Sequence, residues 1–275
     1  MTHSRKVGII GGNGWLGRAI GHAMLDAGLV EAASLTLSCR SGISDTFGDR
    51  PQVFWTADNR QLVQRSEAVI VSVRPEHFPA VGIDARGRLV ISLMAGVSME
   101  TLAAHTRAER IVRAMPNAAA DIGRSYTPWC CSGAVTPDDK AFVQALFESC
   151  GTTDEVETEA AIDYLTALSG SGPAFPALLA DAMLGHALAH GLPERIARRA
   201  VNGVVCDASR LLDNTRVSPG EMVRTFMEYR GTTAAGLGAM QDAGFAEAVH
   251  AGLSAAAAKA VAMAGTQTAG TGTGK

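Results

Sequence analysis

The stretch Lys6-Val-Gly-Ile-Ile-Gly-Gly-Asn-Gly-Trp-Leu-Gly17 places an apolar β-forming run directly before a helix start, with glycines at G-x-G-x-x-G spacing. Set between a strand and a helix, such a loop favours dinucleotide binding over a purely structural glycine turn. Gly12 is read as the residue of the tight turn, Gly14 as the point where backbone can approach a pyrophosphate, and Gly17 as the close helix–strand packing position. Trp15 and Leu16 occupy the intervening positions and are read with them as cofactor-binding. The helix that opens here presents free N–H groups and a positive dipole end to phosphate. A loop of this kind functions inside a β-α-β unit, so it commits the N-terminal half to a parallel sheet.

The rest of that half agrees. Val7–Ile10, Leu35–Ser38, Val53–Trp55, Ala68–Val73, Leu89–Leu93 and Arg110–Ala114 read as strands, most of them continuous apolar runs. Continuous runs suit parallel strands covered on both faces. Trp15–Ala27, Asp58–Arg65, Pro75–Val81 and Met99–His105 read as the helices between them, which gives a doubly wound α/β sheet. Thr136-Pro137-Asp138-Asp139 caps a further helix to about Cys150, followed by an acidic connector with one short strand at most. The dinucleotide-binding domain is expected to span 1–158.

Beyond it the strand signal stops, and 159–264 reads as an all-α domain. Pro173–His190 is a long apolar helix closed by Gly191, and Glu194–Asp213 reads as the next. Ser218-Pro219-Gly220-Glu221 is a capping box, and Thr232–Asp242 and Ala246–Ala264 complete the set. The low-complexity residues 265–275 are expected to be a disordered tail. Because Pro173–His190 is apolar nearly all round, it needs burial on most faces, and a partner subunit is expected to supply it.

Several classes are disfavoured. Lys and Arg number 24 against 27 Asp and Glu, which leaves no basic surplus for nucleic acid or an anionic membrane surface. No apolar stretch reaches the ~20 residues of a membrane span, and no signal region precedes the first strand, so a soluble, cytoplasmic protein is expected. The five cysteines include an adjacent pair and no CxxC, against both a disulfide framework and a zinc site. His186 and His190 are four apart on one helix but lack a third ligand nearby, so no metal is expected.

The end of the second strand addresses the nucleotide. An NAD-specific site places a carboxylate there for the ribose hydroxyls. This chain reads Leu37-Ser38-Cys39-Arg40-Ser41, with no acid. A guanidinium at Arg40 and a hydroxyl at Ser41 suit a 2′-phosphate, so NADPH is the expected cofactor, with NADH as a possible substitute.

Motifs in order along the chain resemble the 1-pyrroline-5-carboxylate reductase family. They are Asp58-Asn59, Val73-Arg74-Pro75, Ser92-Leu-Met-Ala95-Gly96, Arg113-Ala-Met-Pro-Asn117, Thr166-Ala-Leu-Ser169-Gly-Ser171-Gly-Pro-Ala-Phe175 and Gly231-Thr232-Thr233. The resemblance implies that Asn59 contacts the adenosine ribose, that Val73, Arg74 and Pro75 line the cofactor, and that Ala95 and Gly96 lie beside the nicotinamide. It implies substrate contacts from Asn117, Ser169, Ser171, Gly231, Thr232 and Thr233. It also implies a Rossmann domain followed by a helical domain that interlocks in a homodimer, with rings of dimers as a possible higher assembly, and a ligand site beside the nicotinamide near the dimer interface. Three departures stand out: Glu228-Tyr229-Arg230 in place of the family's Ser-Pro-Gly, Ala118-Ala119 in place of Thr-Pro, and a phosphate loop one residue longer.

The chemistry implied is hydride transfer from NADPH to 1-pyrroline-5-carboxylate, giving L-proline. Gly231-Thr232-Thr233 opens a helix whose free N–H groups suit a carboxylate, and Thr233 is the candidate catalytic hydroxyl toward the imine nitrogen. A simple helix cap is the competing reading on residues alone. Reduction of a related cyclic imine and a non-catalytic NADPH sensor remain as alternatives. A 3-hydroxyacid dehydrogenase is disfavoured, because no lysine occurs between Lys140 and Lys259 to handle the alcohol proton.

Overall fold

The computed structural model describes residues 5–40, 45–213 and 216–268. The chain divides into two compact units, Met1–Ser171 with Ala256–Lys275, and Gly172–Ala255.

In the first unit, β1 (Val7–Ile10), β2 (Leu35–Ser38), β3 (Phe54–Thr56), β4 (Ala68–Val71), β5 (Leu89–Ser92) and β6 (Arg110–Ala114) are all parallel. With β7 (Ser125–Cys131) and β8 (Gly151–Glu155) they form one sheet in the order β3-β2-β1-β4-β5-β6-β7-β8. The order reverses direction between β1 and β4, the switch point where such sheets open a crevice. The continuous apolar runs are explained by two cores. Ile9, Leu37, Ile70 and Ile91 point into one, covered by α1 (Trp15–Asp26) and α4 (Pro137–Glu148). Ile10, Val69, Val71 and Val90 point into the other, covered by α2 (Asn59–Arg65) and α3 (Met99–Thr106). The segment expected as a helix from Pro75 is a 3-10 turn, Pro75–Ala80, with Pro79 inside it. A proline there removes an N–H that an α-helix would need.

β7 has no counterpart in the sequence reading. It runs antiparallel to β6 and parallel to β8. Its inward hydroxyls conceal it from hydropathy: Ser125 and Thr127 are buried and bond each other at 3.0 Å, and Thr153 Oγ1 donates to the Thr127 carbonyl. Polar residues with partners of this kind can be buried at little cost.

α5 (Glu159–Leu165) follows Thr158, whose side chain caps it, and leads into a wide π-type turn at Thr166–Gly170. The expected boundary at residue 158 therefore falls at the start of α5, while the compact units part at Ser171. α5 stays with the sheet because Arg113 on β6 pairs with both Glu159 and Asp163.

The second unit contains α6 (Ala174–Ala189), α7 (Glu194–Asn202), α8 (Pro219–Glu228) and α9 (Thr232–Asp242), while α10 (Phe245–Thr268) spans its end and the return to the first unit. The helix expected over Glu194–Asp213 changes character after Asn202, widening at Gly203–Asp207 and tightening at Ala208–Asp213. Gly203 followed by Val204 and Val205 is a weak helical stretch, which explains the break. No residue of α6 is buried within the chain, and Leu178 is 70% exposed. α10 continues to Thr268, into the stretch expected to be tail; residues 269–275 lie outside those described. Among the described residues no helix is long and apolar enough to cross a membrane.

At the N-terminus of α4, Asp139 completes the capping box with Thr136 and is held by Arg5 at 2.9 Å and Arg110 at 2.8 Å, its side chain 1% exposed. Burial pushes its carboxyl pKa up, but the bonds from Arg110 and Thr136 outweigh burial, and the net shift is downward. A lowered folded pKa stabilises above the unfolded value of ~3.9, and that contribution disappears as pH falls through the folded value. Asp139→Asn should cost about 2–3 kcal/mol at neutral pH, less than a fully buried pair because both arginines are about a quarter exposed. Chemical denaturation at neutral and acidic pH tests this: the gap between wild type and variant should close below about pH 4.

Candidate functional site

A cleft of ≈ 620 Å³ opens at the carboxyl ends of β1, β2 and β4, at the switch point of the sheet. The turn after β1 is made by Gly11, with φ +84°, rather than by Gly12 as expected from the motif. A Cβ on Gly11 would lie 2.2 Å from the Ser72 carbonyl oxygen, so neither the conformation nor the space admits a side chain. Gly12 is needed for a different reason, since its Cβ would come within 2.9 Å of the Leu37 Cβ. The N–H groups of both residues donate to the Ser38 carbonyl at 3.0 Å, which ties the loop to the end of β2. Gly17 packs as expected, because a Cβ there would strike the Gly11 carbonyl oxygen at 2.5 Å.

Gly14 is the N-cap residue of α1, with no side-chain cap and no acid in the first turn. The first N–H groups of α1 are therefore left for an anion at the cleft floor. Trp15 starts the helix but does not line the cleft; it is 54% exposed and its indole N–H donates to Asp121. Leu16 packs against the core behind the loop.

The nucleotide end is built around Asn59 at the start of α2. Its Oδ1 accepts from Ser38 Oγ at 2.7 Å, and its Nδ2 donates to the Val81 carbonyl at 3.1 Å. Arg40 and Arg74 both line the cleft and are exposed, whereas among the described residues no carboxylate lines it. Arg74 lies 3.9 Å from Glu76 across solvent, a pairing too weak to hold it from a phosphate. Ser41 lies outside the described residues. Val73 and His77 add to the wall, while Pro75 begins the turn behind Arg74. Gly11 and His77 were missed from sequence. The Gly11-Gly12 doublet was a usable signal for the first; nothing local pointed to His77.

Ala95 and Gly96 follow β5, with Gly96 at φ +69° and Ala95 packed against the small cluster of Met115, Cys130 and Ile162. Burial raises the Cys130 thiol to about 12, so it stays protonated. Asn117 and Ser169 come together: Asn117 Nδ2 donates to the Ser169 carbonyl at 3.0 Å, and Asn117 Oδ1 accepts from the Ala119 N–H. The hydroxyls of Ser169 and Ser171 donate back to the carbonyls of Leu165 and Thr166, which leaves their oxygen lone pairs to accept.

Gly231, Thr232 and Thr233 belong to the second unit and are described within it. Gly231 is the N-cap of α9, and no side chain caps the helix. The plain helix-cap reading of the threonines is therefore not what this helix end shows. Arg230, just before, adopts φ +51°, a conformation that is uncommon for a residue with a side chain.

A nucleotide crevice lined by arginines, followed by a helical unit, defines a two-domain dinucleotide-dependent oxidoreductase. A family model described as pyrroline-5-carboxylate reductase dimerisation matches residues 159–263, and one described as NADP oxidoreductase, coenzyme F420-dependent, matches residues 6–96. A pyrroline-5-carboxylate reductase of Thermus thermophilus is 32% identical over 87% of this chain and 93% of its own length. That of Synechocystis is 32% identical over 72% of this chain and 75% of its own. A solved pyrroline-5-carboxylate reductase structure from Coxiella burnetii superposes with TM-score 0.84 at 26% identity, covering 95% of this chain and 99% of that one. The chain belongs to the pyrroline-5-carboxylate reductase family.

Gly11→Ala tests the loop directly. The variant should lose dinucleotide affinity by about 100-fold or more, because the Ser72 strand end cannot move away without breaking the β1–β4 pairing. Calorimetric titration with NADP measures it, and near-normal affinity would exclude this loop as the phosphate site.

Proposed function

We propose that this chain reduces 1-pyrroline-5-carboxylate to L-proline with NADPH. Family membership sets the reaction class, and the observation that carries the reading is the uncapped start of α9 at Gly231-Thr232-Thr233. An N-terminal turn that receives no side-chain cap and carries no acid has N–H groups to offer a carboxylate. Gly231, with open space around it, lets that carboxylate come close.

The cleft fits NADPH. Arg40 stands where an NAD site has its acid, Asn59 is preset by two hydrogen bonds, and α1 offers its first turn to the pyrophosphate. When bound, NADPH supplies the hydride. The chain's own contribution is placement, bringing the imine carbon to within about 3–3.5 Å of the donor carbon. A protonated pyrroline nitrogen is a hydrogen-bond donor, so the groups facing it must accept. The lone pairs of Thr233 suit that task, and after hydride addition the nitrogen keeps its proton as the secondary amine of proline. No strong general acid is needed.

The departure at Glu228-Tyr229-Arg230 supports a second reading. Tyr229 is 84% exposed and Arg230 is held in a left-handed conformation beside Gly231. This segment could select a cyclic imino acid of another ring size. As to assembly, the apolar α6 has no residue buried within one chain and falls in the region matched to the dimerisation model. It supports a homodimer formed through the helical unit, with rings of dimers as the further step.

NADPH consumption with five- and six-membered cyclic imino acids tests the reading, with the product analysed for proline. Thr233→Ala should lower kcat/KM by about 100-fold. Arg40→Ala should weaken NADPH by about 10-fold while leaving NADH nearly unchanged. Turnover of the six-membered ring alone would favour the second reading, and tight NADPH binding without turnover of either would favour a sensor.

A further inference from the structure

Among the described residues of the first unit, the fully buried cation is Arg113. It is 2% exposed, on β6, with Nη1 on Glu159 Oε1 at 2.6 Å and Nη2 on Asp163 Oδ1 at 2.8 Å. Glu159 and Asp163 stand one turn apart on α5, where two carboxylates repel unless a cation lies between them. The same Glu159 oxygen accepts the N–H of Met99 at 2.8 Å, the first residue of α3. α3 follows directly on the segment containing Ala95 and Gly96. α5 runs into the wide turn that carries Ser169, whose carbonyl receives Asn117 Nδ2. Asn117 in turn lies four residues after Arg113. The contacts form a closed circuit: β6, α5, the Ser169 turn, Asn117 and back to β6, with α3 attached through Glu159.

We propose that Arg113 is a positioning residue, dividing its guanidinium between Glu159 and Asp163 so that the Ala95–Gly96 segment and the Asn117–Ser169 brace are held in one fixed relation. The inference rests on the reductase reading and deepens it, since these are the segments assigned to the nicotinamide and the imine.

Stability alone is a poor account of this cluster. Burial works against the guanidinium charge, although the bonds to Glu159 and Asp163 outweigh it, and Nε has no partner among the described residues. A packed apolar trio would join three elements at least as well. A planar fork gives something an apolar contact lacks, which is direction: each arm fixes one carboxylate in one place. Lysine keeps the charge but cannot hold both acids in that geometry.

Among the described residues, no hydrogen bond or ion pair joins the adenosine end of the cleft, at Ser38 and Asn59, to this circuit; the link between them runs through Trp15 at the start of α1, whose indole N–H donates to Asp121 in the turn that Asn117 caps. A defect at Arg113 should therefore separate the two ends of the cofactor. In Arg113→Lys, affinity for 2′,5′-ADP, which carries only the adenosine half, should stay within about two-fold of wild type, while NADPH weakens about ten-fold. kcat should fall about a hundred-fold, and the isotope effect with 4-deuterated NADPH should rise as hydride transfer becomes limiting. Glu159→Gln retains an oxygen for Met99 N–H and should lose less, about ten-fold in kcat. It carries the same comparison if Arg113→Lys folds poorly. Parallel weakening of 2′,5′-ADP and NADPH, or kcat within about two-fold of wild type, would overturn the proposal. The two binding titrations need no imine. If they diverge while wild type reduces no imino acid, the reductase reading fails and the positioning role stands.

Discussion

The turn at Gly11 has to leave β1 and pass against the Ser72 carbonyl at the end of β4, a contact that a single Cβ would close. Much of the first unit follows from that constraint. The turn puts two successive N–H groups on the Ser38 carbonyl, so the end of β2 and the phosphate loop are one object. It aims the start of α1 at the crevice between β1 and β4, and Gly17 lets α1 lie close enough for its apolar side to reach Ile9 and Leu37. Ser38, fixed by its carbonyl, then turns its hydroxyl to Asn59. The nucleotide end of the cleft is thus set by backbone geometry, before any charged side chain contributes.

What could be read from sequence was what is written locally. The capping boxes at Thr136 and Ser218, the strand runs with no polar interruption, and the glycine ending α6 each depend on neighbours a few positions away. β7 could not be read because two of its buried positions, Ser125 and Thr127, are hydroxyls that bond each other, with Ser125 Oγ also accepting the Asn117 N–H. The change of helix type after Asn202 was legible in Gly203-Val204-Val205, but an otherwise helical pattern overrode it. At the site, Arg40 announced itself at a strand end, and Asn59 through the resemblance to the reductase family. His77 did not, because its place on the cleft wall comes from the chain path after β4 and from no property of its own neighbours.

Two clusters of buried charge in the first unit show why burial alone does not assign a role. Asp139 is a single carboxylate shared by Arg5 and Arg110, and its bonds close the N-terminus of α4 against β6. All of its partners serve the fold, and it lies on the far end of the sheet strands from the cleft, since Arg110 begins β6 whereas the cleft lies at the strand ends. Arg113 inverts the arrangement, one cation between two acids, and sits one residue before the end of the same strand. Side chains near the carboxyl ends of parallel strands are the ones whose displacement reaches a bound ligand. The two arginines, three residues apart on one strand, therefore differ in consequence because of where the strand puts them.

The second unit makes the complementary point about exposed groups. α6 presents Leu178 and its neighbours to solvent in the single chain, an amount of apolar surface that a helix sustains only when something covers it. α9 presents an unpaired polar end instead. An apolar face needs a partner of matching shape, whereas a row of free N–H groups can be satisfied by water until an anion replaces it. The first is a requirement of stability and the second a standing capacity for binding. That difference is why α6 points to assembly and the start of α9 points to a ligand, although both are surface features of one small helical unit.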